Sequence, residues 1–130
     1  MLHEELSGKI LNAFFTVYNF LGHGFLEKVY ENALMIELNK RGIDAQQQQR
    51  IEVYYDGYEV GEYYADILVQ DRVILELKAA DAVAPEHEAQ LINYLKATDI
   101  ELGLLLNFGP KPQFVRRILT NDYKQSHKKN

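Results

Sequence analysis

An α/β domain is what the sequence predicts, and three observations predict it. Apolar residues recur at three- and four-residue steps near the start of the chain, which is helical periodicity. Apolar and polar residues alternate around an Asp-Gly dipeptide at 56–57, which reads as a hairpin. An apolar run without alternation, Leu102–Leu106, reads as a strand buried on both faces.

The elements follow in order. Leu6, Ile10, Ala13, Phe14, Val17 and Leu21 predict a helix over 4–21, and Gly22 and Gly24 bracket its end. A second helix is expected over about 25–41, with Val29, Ala33, Ile36 and Leu38 in its stripe and Gly42 closing it. Ile51, Val53 and Tyr55 alternate with Glu52 and Tyr54 to make a strand that returns as 58–69, with a bulge expected at Gly61. Gln70-Asp71-Arg72 turns the chain into a strand over Val73–Ala79. Pro85 opens a helix to about Thr98, with Leu91, Ile92 and Leu95 inward. Leu102–Leu106 is followed by a Gly-Pro loop and by Phe114–Leu119, read as a strand. The order is α-α-β-β-β-α-β-β, with one domain over 1–123 and a basic polar tail over 124–130.

Composition narrows the function. The 130 residues suit one domain with a sizeable core. No Cys is present, so disulfides and thiolate zinc sites are excluded. No apolar run reaches membrane-spanning length and MLHEELSGK lacks a signal-peptide core, so a cytoplasmic protein with no membrane partner is expected. The net charge of −5 argues against non-specific nucleic-acid binding, but it is uneven. Residues 111–130 hold six Lys or Arg against one acid. That end could be a phosphate-contacting arm, although Lys124 to Asn130 reads better as a solvated tail. The four His (3, 23, 87 and 127) lack metal-ligand spacing, and no serine sits in a nucleophile-elbow context.

The stretch Tyr63–Asp81 carries the chemistry. Glu76 and Lys78 share a strand face, because side chains alternate. If the preceding turn centres on Asp71, Asp66 lies opposite Glu76 and on the same face. Two carboxylates that close repel, and a hard divalent cation such as Mg²⁺ or Mn²⁺ relieves the repulsion. A neighbouring Lys could orient a water or offset phosphate charge. A Glu-x-Lys pair on a strand is also a common surface salt bridge, so the trio alone leaves both readings open.

Three flanking motifs favour the first. Gly24-Phe25-Leu26-Glu27-Lys28-Val29-Tyr30 is a G-x-x-E-x-x-Y string, with Glu27 and Tyr30 one helical turn apart. Gln90 and Tyr94 have Q-x-x-x-Y spacing on the helix after the Glu-x-Lys strand. Leu104 to Gly109 is an apolar strand with a polar cap at Asn107. Together these resemble the "GxxExxY" proteins, a branch of the PD-(D/E)XK nuclease-like superfamily, over about residues 5 to 119. Ala65 stands where the superfamily's first motif has Pro.

The resemblance implies a restriction-endonuclease-like core, a mixed sheet flanked by helices. It implies a metal-dependent nuclease acting on DNA ahead of RNA. Asp66 and Glu76 match the metal-binding acids, the Leu77 main-chain carbonyl adds a ligand, and Lys78 matches the catalytic lysine. Glu27 matches an N-terminal-helix acid that binds metal directly or through water. Gln90, Tyr94 and Tyr30 would position the site or the nucleic acid. Glu27 also suits a helix first turn on dipole grounds alone, and Gln90 and Tyr94 could be ordinary helix residues. The small size suggests a homodimer. The clustered tyrosines 54, 55, 58, 63 and 64 are expected to pack the sheet or a dimer interface rather than stack on bases. The alternative function is a catalytically inactive binding or assembly module of the same fold in a repair or defence complex.

Overall fold

The computed structural model describes residues 1–126. His127, Lys128, Lys129 and Asn130, and so most of the expected tail, lie outside the described residues. Its elements run α1 (Glu4–Leu21), α2 (Glu27–Lys40), β1 (Ala45–Tyr55), β2 (Tyr58–Val69), β3 (Val73–Lys78), α3 (Pro85–Lys96), β4 (Leu102–Phe108), β5 (Pro112–Ile118) and α4 (Asn121–Ser126). The expected order is present, with a short C-terminal helix added. Lys124 departs from the solvated-tail reading, since its Nζ donates to the carbonyls of Thr98 and Ile100 at 2.8 and 2.7 Å, while Gln125 and Ser126 are exposed.

The strands form one mixed sheet in sequential order. Only β3 and β4 are parallel, and α3 is the crossover between them. Helices cover both faces, as a parallel pair requires. On one face α1 and α2 pack Ile10, Phe14, Tyr30, Leu34 and Leu38 against Val73, Leu75, Leu77, Leu104 and Leu106. On the other, α3 packs Leu91, Tyr94 and Leu95 against Ile74 and Leu105. Every residue of β4 is buried, as its unbroken apolar run predicts.

Two expectations are corrected here. The buried face of α2 is Tyr30, Glu31, Leu34 and Leu38, while Val29 and Ile36 are exposed. Apolar residues lie all around this helix, so periodicity alone gave no unique face. The bulge falls one residue early: Val53 pairs with Gly61 and Tyr54 with Glu59, which makes Val60 the extra residue.

The first two strands turn a corner. Ala45, Ile67 and Val69 belong to the α1/α2 core, whereas Ile51 and Ala65 belong to the α3 core. All five are odd-numbered and would share one face of a regular strand pair. The change of side falls between Gln47↔Ile67 and Gln49↔Ala65, at Gln48 and Asp66. Gln48 has φ 52°, a left-handed value that costs a side-chain-bearing residue about 1–2 kcal/mol. Beyond this corner the β1–β2 hairpin leaves β3 and becomes a two-stranded arm crossing α3.

Candidate active site

The corner assembles the site. The β2–β3 ladder pairs Val69 with Val73, Leu68 with Ile74 and Ile67 with Leu75. One more step in that register sets Asp66 opposite Glu76, as the turn-centring argument expects. There the backbones part and the carboxylates take over the ladder. Glu76 Oε1 accepts the Asp66 N–H at 3.1 Å, and Asp66 Oδ2 accepts the Leu77 N–H at 2.8 Å. Each acid therefore has one oxygen fixed by backbone. Asp66 Oδ1 and Glu76 Oε2 accept no hydrogen bond among the described residues.

The electrostatics are those of two acids forced together. Glu76 is 3% exposed, and burial followed by the Asp66 charge pushes its pKa up to about 8. Burial also raises Asp66, against the bond from the Leu77 N–H. Lys78 lies on the same face of β3 and its charge favours ionisation of both acids. It makes no ion pair within 4 Å among the described residues.

The β3 end is held from β4. Lys78 pairs with Asn107, whose side chain accepts the Ala80 N–H and donates to the Ala80 carbonyl, both at 3.0 Å. Gly109 packs on the same carbonyl, and a Cβ there would sit 2.3 Å from it. On α3, Gln90 donates to the Tyr94 hydroxyl at 2.8 Å. Burial and the Glu76 charge push the Tyr94 pKa up to about 12, so Tyr94 borders the acids. His87 accepts the Ala84 N–H at 3.1 Å and caps α3.

Two motif residues take other positions. Tyr30 is fully buried, donates to the Gly22 carbonyl at 2.7 Å, and stacks on Phe108. It fixes the α1–α2 turn rather than facing the carboxylates. Glu27 sits exposed in the first turn of α2. No group of three acid or His side chains is close enough to hold one ion among the described residues, so the three-acid ligand set is not formed.

The buried helix acid is Glu31, one turn on from Glu27. It is 4% exposed and accepts from Lys28 at 2.9 Å, Gln47 at 2.6 Å and Gln48 at 2.9 Å. Adjacent strand residues normally point apart. The left-handed backbone of Gln48 lets both glutamines reach one carboxylate. The Glu31 charge acts on Asp66 more strongly than that of Glu27. Nothing in the residue pattern points to Glu31, because its donors come from a glutamine run that carries no strand alternation.

A basic arm is not available from the described C-terminal residues in the way the charge count suggests. Arg116 bonds Ser7 and the Leu2 carbonyl, Arg117 pairs with Glu88, and Lys124 is docked. Lys111 remains.

A mixed sheet with a half-buried acid, a buried acid and a lysine on adjoining strands defines a nuclease-like α/β fold. The chain belongs to the PD-(D/E)XK nuclease superfamily, whose family model matches residues 4–118. Nucleases of that superfamily generally use divalent metals. Among solved structures, "Crystal structure of SSO0001" matches with a TM-score of 0.58 and 19% identity, over 75% of this chain. This chain covers 53% of the length of that one, so the likeness concerns the fold. No curated protein matches the chain.

Proposed function

We propose that this protein is a metal-dependent nuclease of the GxxExxY type that hydrolyses phosphodiester bonds of DNA. The observation that carries the reading is the Asp66–Glu76 pair: a half-buried and a buried carboxylate, each with one oxygen left over, beside a lysine that pairs with neither. Hard oxygen donors in this arrangement suit Mg²⁺ or Mn²⁺. Asp66 Oδ1, Glu76 Oε2 and the Leu77 main-chain carbonyl would hold the ion. When bound, such an ion polarises a phosphodiester and lowers the pKa of water at its surface.

The side chains divide the remaining work. The backbone bonds to Asp66 and Glu76 fix both carboxylates before substrate arrives, so little reorganisation is needed. Lys78 orients the attacking water and offsets charge on the phosphate. Gln90 and Tyr94 wall the site from α3 and fix each other through their hydrogen bond. Glu27 and Glu31 contribute negative field at Asp66 and so strengthen cation binding.

The test is cleavage of single-stranded, duplex, flap and branched DNA, and of RNA, under Mg²⁺ and Mn²⁺. Asp66→Ala and Lys78→Ala should abolish cleavage with the fold intact by circular dichroism. Cleavage retained by Asp66→Ala would sink the mechanism. A second reading, an inactive binding module, is favoured by the engagement of Arg116, Arg117 and Lys124 inside the chain. It requires that no variant and no wild-type protein cuts any substrate.

A further inference from the structure

The arm and α3 leave a groove between them. Val53 and Tyr63 of the arm, and Asn93, Lys96 and Ala97 at the end of α3, line a cavity of about 230 Å³. That is below the ~300–1,000 Å³ usual for a whole small ligand, so it suits part of an extended one. Two features give it a chemistry. Tyr63 is 38% exposed and rests on Tyr94 with ring centroids 5.2 Å apart. Lys96 makes no ion pair among the described residues.

The two faces of the arm differ in charge. Tyr64 and Tyr54 share their side with Glu62 and Glu52, whose carboxylates accept their hydroxyls. Tyr63 points the other way, because strand neighbours alternate. On its side the charge is Lys96. Tyr94 links the groove to the strands that carry the carboxylate pair, since it touches Tyr63 and packs in one cluster with Ala65 of β2 and Ile74 of β3.

We propose that this groove binds a single-stranded segment of nucleic acid, with Tyr63 stacked on an unpaired base and Lys96 on the adjoining phosphate. A flat ring held by a second ring offers a stacking face to any base. A base within a duplex already stacks on its neighbours and is not free to use it. One cation beside one aromatic suits a single strand passing through, not a duplex spread over many phosphates. Asn93 adds an amide at the base edge. The proposal deepens the nuclease reading by naming the strandedness of its substrate, and it rests on that reading for the direction of the strand toward Asp66 and Glu76.

The test is fluorescence anisotropy of a fluorescein-labelled oligothymidylate with full-length Glu76→Gln protein in Mg²⁺, which keeps the probe intact. A labelled duplex is the second probe. Tyr63→Ala should weaken oligothymidylate binding by about 5- to 150-fold, the range for one base–aromatic stack. Tyr63→Phe should restore it. Lys96→Ala should lower the slope of log affinity against log salt by about 0.7. Duplex should bind more weakly and without dependence on Tyr63. Thermal melting identifies any variant that has lost its fold, and Lys96→Glu, at an exposed position, gives an independent reading of the groove. Equal affinity of Tyr63→Ala, Lys96→Ala, Lys96→Glu and the parent overturns the proposal, as does absence of binding by the parent. Wild-type cleavage measured in parallel separates the two ideas. Cutting that ignores Tyr63 and Lys96 sinks the groove alone. Binding that depends on them, without cutting, supports the groove and sinks the nuclease reading alone.

Discussion

Strands β1 to β3 carry two groups of acids with one cation each, one on the β1–β2 arm and one where β2 meets β3, and they differ in almost every physical respect. On the arm, Arg50 reaches Glu52, Glu59 and Glu62. All four side chains are 37–46% exposed, and Arg50 is held in its charged form by hydrogen bonding to Glu62. At the corner, Glu76 is buried and Asp66 half-buried, both bond only to backbone N–H groups among the described residues, and Lys78 is left without an ion pair there. Residue types are nearly the same in both places. What separates them is that the arm group satisfies itself in solvent, whereas the corner group is strained by repulsion and desolvation that a bound cation would relieve.

The largest effect should come from exchanging one carboxylate for an amide in each group. Glu76→Gln is expected to remove metal-dependent cleavage by a thousandfold or more, on the scale of losing an electrostatic catalytic group. Glu62→Gln should leave it within about twofold. Equal effects in a cleavage assay would erase the distinction between the groups.

Next in size is the support behind the corner. Asn107→Ala leaves the half-buried Ala80 N–H and carbonyl without their partner, and should destabilise the fold by about 1–3 kcal/mol in urea unfolding. The cleavage rate should fall in the folded variant, because Lys78 precedes the loop that Asn107 fixes.

The pH dependence of the metal-free protein sharpens the contrast further. The folded pKa of Glu76 is raised to about 8 from an ordinary 4.5. Between those values the folded state holds a proton that the unfolded state has lost. Stability is therefore fullest below about pH 4.5 as far as this group is concerned, and it falls as pH rises toward 8. The slope is at most about 1.4 kcal/mol per unit. Denaturant midpoints in chelator should show the fall, Glu76→Gln should lack it, and Mn²⁺ should flatten it. Metal affinity should rise over the same window, since binding requires the ionised acid.

The smallest effect belongs to the arm. Arg50→Ala should leave the melting temperature and the cleavage rate nearly unchanged, because exposed ion pairs contribute little. A larger loss by thermal melting would mean that the arm group supports the corner.

Much of the site was legible before the fold was seen. Asp66 opposite Glu76 follows from strand alternation and the Gln70-Asp71 turn, and the register agrees. The sheet-packing half of the tyrosine reading holds for Tyr63, which rests on Tyr94 of α3, while Tyr54, Tyr55, Tyr58 and Tyr64 are exposed on the single chain. An alternating strand pattern implies two faces, but it does not say that the hairpin leaves the sheet. Glu31 was invisible for a similar reason, since the donors that bury it depend on the left-handed backbone of Gln48, inside a strand.

Local interactions are written in the sequence. Helix periods, the Asp-Gly hairpin, the buried apolar run of β4 and the Asp66–Glu76 register depend on neighbours a few residues apart, or on one short turn. What only the tertiary structure decided is where the sheet changes side. That change sets the two carboxylates together and brings Tyr63 to Tyr94, and separate long-range contacts tie up the basic end against Ser7, Glu88 and the α3–β4 loop. These contacts join segments far apart in the chain, and their energies come from burial and charge, which no local spacing encodes.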